Sequence, residues 1–233
     1  MIRILSSQGP GESQAGSHTS SLTQTPSQGF TLTELLIVIA IIMVLASLMG
    51  PTLNYAIRGT ALTQGADKVI GVLSLARQTA LTKAQTVEVR FYSFTNAETP
   101  GDSGQGHSLQ AFTLADDGSY SPIIKAQMLP QTVIMTTATN LSTLMSLTNT
   151  TGSNTVMSSI PRAGTNYNYS SFQFYRSGMT SLPPSSSTNT VWCITVVNAA
   201  DMLGANSNNL PKNYTTVVVD PYNGTLRTFR PTL

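Results

Sequence analysis

Few residues of this chain have side chains that could catalyse a reaction or bind a metal ion. There are two histidines, His18 and His107, and one cysteine, Cys193, in 233 residues. His107 lies in a Gly- and Ser-rich stretch and is predicted to be solvated, whereas Cys193 follows a tryptophan in an apolar stretch and is predicted to be a buried thiol. Asp102 and the turn at 116–118 supply carboxylates, but without the D-x-[DN]-x-[DN]-G spacing of a calcium loop. We therefore expect no enzyme activity, no cofactor and no metal site.

The composition also excludes some classes of partner. Charged residues make up 9% of the chain, against roughly 25% in an average soluble protein, and the formal net charge is +2. The twelve Lys and Arg residues are scattered, so they form no basic stripe of the kind that nucleic acid requires. One cysteine also excludes an intramolecular disulfide. No nucleic-acid partner is expected.

Glu34 differs from the other carboxylates because it lies in an apolar run. Residues 30–49 are 20 mostly apolar residues with Glu34 as their single charge, and as a helix they would cover roughly 30 Å of hydrocarbon. A carboxylate inside such a helix costs roughly 2.5–3.5 kcal/mol and is usually paired, yet no basic residue lies within helical reach of it. A core helix would carry more polar positions. A cleaved secretory signal would have positive charge before the run and small residues after it. The sequence favours a retained transmembrane helix.

The residues around the start of the run resemble the processing site of type IV pilins and type II secretion pseudopilins. The string is Gly29-Phe30-Thr31-Leu32-Thr33-Glu34-Leu35-Leu36, with Pro51 just past the apolar run. The resemblance implies that a prepilin peptidase/N-methyltransferase cleaves after Gly29 and methylates the new amine of Phe30. It also implies that Glu34 pairs with that amine in a neighbouring subunit and so sets the register of assembly. The alternative is a glutamate that extends to the lipid headgroups.

The same resemblance implies a division of the chain and a location. Residues 1–29 would be a leader peptide, 30–50 a transmembrane helix, 51–84 an amphipathic continuation, and 85–233 a β-rich periplasmic domain. The protein would cross the bacterial inner membrane once, with its N-terminus in the cytoplasm, and would enter a filament with other pseudopilins through their N-terminal helices. The charges after the run do not indicate an orientation, so the topology rests on the motif.

The helix is predicted to continue past Gly50 and Pro51, which should kink or interrupt it, because proline removes a backbone hydrogen bond. Apolar residues then recur at helical spacing and predict one buried face. They are Leu62, Ala66, Val69, Leu73, Ala76 and Ala80.

After Lys83 the apolar period becomes two, which predicts strands. The predicted strands are 86–94, 108–114, 123–128, 132–135, 170–175, 190–197, 214–220 and 225–229, with a hairpin turn at 220–224 that contains Asn-Gly. The Ser-, Thr-, Asn- and Gly-rich segments 95–106, 136–155 and 181–188 are predicted to be surface loops. One long helix followed by many strands predicts an α+β fold, pilin-like, with the helix packed on an antiparallel sheet.

The C-terminal region has a looser resemblance to narrower groups. Residues 73–80, 172–178 and 217–227 resemble the minor pseudopilin H and FimT-like group, and residues 87–92 and 229–231 resemble the Verrucomicrobia cassette protein D family. The resulting hypothesis is a pseudopilin subunit of a type II secretion-like filament. The alternative is a minor type IV pilin that acts as a binding module in adhesion or DNA uptake. A membrane-anchored enzyme is disfavoured because the sequence lacks a catalytic set of residues.

Overall fold

A long helix and a large antiparallel sheet make up the part of the chain that the structure describes. The structure is a computed structural model, and it describes residues 29–96, 102, 104–147, 150–153, 160–164, 166–184, 190–202 and 211–231. The helices are α1 (Leu32–Lys83), the 3-10 helix η1 (Thr143–Ser146) and α2 (Ala199–Met202). The strands are β1 (Thr86–Ser93), β2 (Gly106–Leu114), β3 (Tyr120–Pro122), β4 (Gln127–Met128), β5 (Val133–Met135), β6 (Thr150–Ser153), β7 (Asn166–Phe174), β8 (Cys193–Asn198), β9 (Tyr214–Val219) and β10 (Leu226–Phe229).

Helix α1 has a local chemical reason for each of its ends. At the start, the Thr31 hydroxyl accepts from the Glu34 amide at 3.2 Å, and the Glu34 carboxylate accepts from the Thr31 amide at 3.1 Å. This reciprocal pair is a capping box, which satisfies two amides that the helix itself leaves unbonded. At the other end, Ala84 takes a left-handed conformation with φ of 50°, which ends a helix after its last turn. The charges also suit the helix dipole, with Glu34 in the first turn and Lys83 in the last.

In the described residues the strands form one sheet, in the order β10-β9-β8-β5-β2-β1-β7-β6, with β3 and β4 both paired to β2. Every pairing is antiparallel. The central strand β1 pairs β2 on one side and β7 on the other. The predicted α+β class with an antiparallel sheet is therefore confirmed.

The core lies between the C-terminal half of α1 and one face of this sheet. The six helix positions predicted to form a buried face are each 3% exposed or less. From the sheet, Val87, Val89 and Phe91 of β1 are fully buried in the same cluster, because alternate residues of a strand point to one face. The sequence period therefore predicted both surfaces of the helix–sheet contact.

Three sequence predictions about the sheet were wrong. Of the single strand predicted at 123–128, only residues 127–128 form a strand, β4; a separate short strand, β3, lies before it at 120–122, and both strands pair β2. The segment 136–155, predicted to be a loop, contains η1 and the edge strand β6. Strand β7 also begins at Asn166, four residues earlier than predicted.

Strand β6 was missed because it has no apolar alternation. Its residues are Thr-Thr-Gly-Ser, and it is held through backbone pairing to β7 instead. At its centre, a Cβ on Gly152 would lie 2.5 Å from the Tyr167 ring, so only glycine lets the ring lie against the strand.

By its internal contacts the chain divides into two units, Met1–Leu48 and Met49–Leu233. In the described part of the first unit, residues 29–47 are all exposed. The second unit contains the sheet and the core. Among the residues described, no helix is found that is both long enough and apolar enough to span a membrane.

Candidate functional site

The candidate site is the junction between Gly29 and Phe30 together with the first turn of α1. No atom outside its immediate chain neighbours would come within 4 Å of a Cβ placed on Gly29, and Phe30 is 82% exposed. Helix α1 begins two residues later, at Leu32. The peptide bond predicted to be cleaved therefore lies in non-helical, exposed backbone, which is the form that a protease requires of its substrate.

Glu34 is held by this first turn in a defined position. Its Oε2 accepts hydrogen bonds from the amide and from the hydroxyl of Thr31, both at 3.1 Å. Within the described residues, Oε1 has no hydrogen-bond partner and the carboxylate has no basic partner. The turn thus fixes the carboxylate next to the Phe30 backbone and leaves one of its oxygens available.

The residues before and after Glu34 in this segment have exposed apolar side chains. Twelve large apolar residues between Phe30 and Leu45 are at least 44% exposed. Gly50 and Pro51 lie inside α1, whose α-helical backbone runs through both without a break. The predicted interruption is therefore absent, and a kink at this pair stays a prediction.

His107 is not the solvated residue that the sequence predicted. It lies in β2, is 3% exposed, and its Nε2 is 2.9 Å from Asp102 Oδ2. Asp102 also accepts hydrogen bonds from the backbone amides of Asn96 and Gln105. The centre of the His107 imidazole lies 5.0 Å from the centre of the Phe94 ring. The prediction was wrong because flanking Gly and Ser suggested a loop, whereas the partner of the histidine comes from outside the strand.

Cys193 is half-buried in β8, and its thiol lies 3.4 Å from the Leu141 carbonyl oxygen. The predicted structural role of this thiol fits its contacts, although it is less buried than expected. Among the described residues, no three His, Cys, Asp or Glu side chains lie close enough to hold a metal ion.

A cluster of charged and aromatic side chains, not predicted from the sequence, lies on the face of the sheet opposite α1. The Arg90 guanidinium lies 4.5–4.9 Å from the centres of three aromatic rings, and its Nε donates to Glu88 Oε1 at 2.6 Å. Burial alone would lower the pKa of Arg90, but the hydrogen bond and charge of Glu88 outweigh it and raise the pKa. The rings belong to Phe112, Tyr120 and Tyr169. They come from three other strands, so spacing along the chain could not reveal the cluster. It holds that face of the sheet together.

Comparison with known protein families supports the prediction of a processing and methylation motif near the N-terminus. Residues 25–50 match the family described as the prokaryotic N-terminal methylation motif. No curated protein sequence matches the chain.

Two solved structures with distant similarity are both of one protein. The chain is similar to the type IV minor pilin FimU of Pseudomonas aeruginosa strain PAO1, with 10% identity, coverage of 73% of this chain and 92% of that one, and a TM-score of 0.37. A second crystal form of FimU gives 10% identity, coverage of 73% and 98%, and a TM-score of 0.36. Similarity at this level does not assign a function to the chain. The narrower resemblances to the pseudopilin H and cassette protein D groups stay predictions. Residues 25–50 of the chain therefore carry a prokaryotic N-terminal methylation motif, and the Gly29-Phe30 junction within it is exposed.

Proposed function

We propose that this chain is a pseudopilin subunit of a type II secretion-like filament. A prepilin peptidase/N-methyltransferase removes residues 1–29 and methylates the amine of Phe30, and the remaining chain assembles with other pseudopilins in the periplasm. The observation that carries the proposal is the exposed Gly29-Phe30 junction directly before a capped apolar helix, inside the segment that matches the methylation motif.

In this proposal residues 30–50 anchor the subunit in the inner membrane before assembly, with the N-terminus in the cytoplasm. The exposed apolar side chains of this segment support an apolar environment around it, since water would solvate them poorly. Inside a filament, the N-terminal helices of neighbouring subunits would cover the same side chains.

Oε1 of Glu34, which has no partner among the described residues, gives assembly a chemical basis. Cleavage creates a positively charged amine on Phe30, and a carboxylate in an apolar surrounding is stabilised by an opposite charge. Because Thr31 already uses Oε2, the amine of a neighbouring subunit can bind Oε1 without breaking the helix cap. Glu34 would then stabilise its own helix and bind the next subunit at once.

Two features favour a pseudopilin over a minor pilin that acts in adhesion or DNA uptake. The twelve Lys and Arg residues form no cluster in the sequence suited to DNA. The chain's one cysteine cannot close a C-terminal loop by a disulfide, a device that adhesive pilins often use.

The deciding experiment is intact mass and N-terminal sequencing of the protein extracted from native membranes. We expect a chain that begins at N-methylated Phe30 and ends at Leu233. In a strain that lacks the prepilin peptidase, the same protein should retain residues 1–29, and Phe30 should not be methylated. A mature protein that retains residues 1–29, or one that is cut beyond Gly50, would contradict the proposal.

A further inference from the structure

In the part of the chain that the structure describes, strand β10 is an open edge of the sheet, and the direction of its backbone groups is defined. Within the described residues β10 pairs with β9 alone. The Asp220 amide donates to the Thr225 carbonyl at 3.0 Å, so the alternation of an antiparallel ladder directs the Arg227 and Phe229 backbone toward β9. The same alternation directs the N–H and C=O groups of Leu226 and Thr228 away from the sheet, where they could form hydrogen bonds with an added strand.

The open edge has a cavity on each face of the sheet. On the face opposite α1, a cavity of about 240 Å³ is lined by Val191, Val218, Tyr222 and Arg227, among others. On the α1 face, a cavity of about 530 Å³ lies between the helix and the start of β10, lined by Arg77, Gln78, Leu81 and Leu226, among others. Successive side chains of a strand added to β10 would point into one cavity and then the other.

The charge of the residues that line the two cavities is positive on balance. Arg77 lines one cavity and Arg227 the other, and in the described part of the chain neither forms an ion pair. Arg77 uses its Nε to hold the Asn223 carbonyl. The Asp220 carboxylate also lines the smaller cavity and offsets part of the charge of Arg227 there; its Oδ1 accepts from the Tyr222 amide in the hairpin turn.

We propose that β10 is a docking edge for an extended, acidic segment of a partner protein, which adds to the sheet by main-chain hydrogen bonds. Apolar side chains of that segment would contact the cavity walls, and carboxylates would pair with Arg77 and Arg227. A second copy of β10 is a poorer occupant, because it would bring Arg227 of two chains into one four-residue ladder, with Arg230 directly after each strand, and like charges across a ladder are destabilising.

Proteins also use short length and charge to protect an open edge against unwanted pairing. Protection alone does not account for Phe229, which is 54% exposed on this strand, or for a cavity on each face. The two interpretations differ in whether an acidic strand binds, and this can be measured.

The test uses the full chain in detergent micelles and a fluorescent, end-capped peptide of alternating valine and glutamate. Fluorescence anisotropy should show saturable binding, and a peptide of alternating valine and lysine should not bind. Thr228→Pro removes an outward N–H without touching the ladder to β9, and Arg227→Glu reverses a charge. Each should weaken binding by about tenfold or more. Lys125→Glu, a charge reversal on an exposed side chain away from β10, is the matched control and should leave binding unchanged.

Three results would overturn the proposal. One is that the acidic and basic peptides bind equally well, or that neither peptide binds. Another is concentration-dependent dimerisation that Thr228→Pro abolishes, which would make a second copy the occupant. The third is binding of a DNA oligonucleotide that Arg227→Glu weakens and Thr228→Pro does not, which would identify a phosphate-binding surface. All three can be distinguished from failure of the proposed function, because none depends on processing at Gly29.

Discussion

At the scale of single residues, Glu34 combines a helix cap with an available charge. Its Oε2 is bound by Thr31, and its Oε1 has no partner among the described residues. A cap needs only an oxygen that accepts a hydrogen bond, so glutamine can replace glutamate in it. Pairing with an amine needs the negative charge. Substitution can therefore separate the two roles.

Glu34→Gln should keep the cap and lose the pairing. We expect this variant to be processed normally after Gly29 but to fail to cross-link with neighbouring subunits in the membrane. Thr31→Ala is the converse control, because it removes the hydroxyl partner of the cap at a cost of about 1 kcal/mol and leaves the charge. Normal cross-linking of Glu34→Gln would show that the cap is the whole role of this residue.

The raised pKa of Tyr92 predicts how the stability of the protein depends on pH. It is 2% exposed and its hydroxyl donates to Gln110, and burial raises its pKa well above the ordinary 10.0, against the lowering effect of the Arg90 charge. A raised pKa in the folded state means that neutral Tyr92 contributes its full stability below about pH 10, and that this contribution is lost as the pH rises further.

Tyr92→Phe cannot ionise, so its free energy of unfolding should fall less steeply above about pH 10 than that of the wild type. Denaturant unfolding at a series of pH values measures the slope. Tyr175→Phe, on an exposed side chain, should keep the wild-type slope. Equal slopes for wild type and Tyr92→Phe would contradict the assignment.

At the scale of elements, two glycines in α1 give a matched pair. A Cβ on Gly65 would lie 2.7 Å from Val133 Cγ1, whereas a Cβ on Gly71 would meet nothing within 4 Å. The helix therefore contacts β5 closely at one glycine and is open at the other.

Gly65→Ala should destabilise the protein by about 1–3 kcal/mol through overpacking. Gly71→Ala should stabilise it by about 0.5–1 kcal/mol, because alanine is the better helix former. The change in the unfolding midpoint of the full chain in detergent measures both. The same sign for the two variants would rule out this packing of α1 on β5.

The elements that could be predicted from the sequence are those with a strong local period. The buried face of α1 and the alternation of β1 follow from apolar residues at spacings of three, four and two. The hairpin between β9 and β10 follows from its Asn-Gly turn, where Gly224 has φ of 64°. Strand β6 and the His107–Asp102 pair have no such local pattern, because each depends on a partner distant in sequence or outside its own strand.

At the scale of the whole molecule, the motif and the fold were predicted with different degrees of detail. Residues 29–36 identified the methylation motif directly, since a processing enzyme reads a contiguous string. The order of strands in the sheet could not be predicted, because β5 joins β8 to β2 across long stretches of chain.

The proposed membrane anchor predicts how the chain behaves on extraction. The wild-type protein should stay with the membrane in alkaline carbonate. A variant with both Ile39→Arg and Ile42→Arg should be released, because each charge in the apolar run costs roughly 2.5–3.5 kcal/mol. Immunoblots of the pellet and supernatant distinguish the two. Release of the wild-type protein would contradict an anchor at 30–50.

Asp102 has a consequence for how the protein tolerates insertions. Its carboxylate bonds Asn96 and Gln105 near the ends of β1 and β2, and it is held in turn by His107. Because one side chain joins both strand ends, we expect the sheet to tolerate a longer chain between 96 and 102. Doubling the length of such a connection costs only about 0.6 kcal/mol in closure entropy. An epitope tag placed there would report where the subunit resides in the cell without changing its fold.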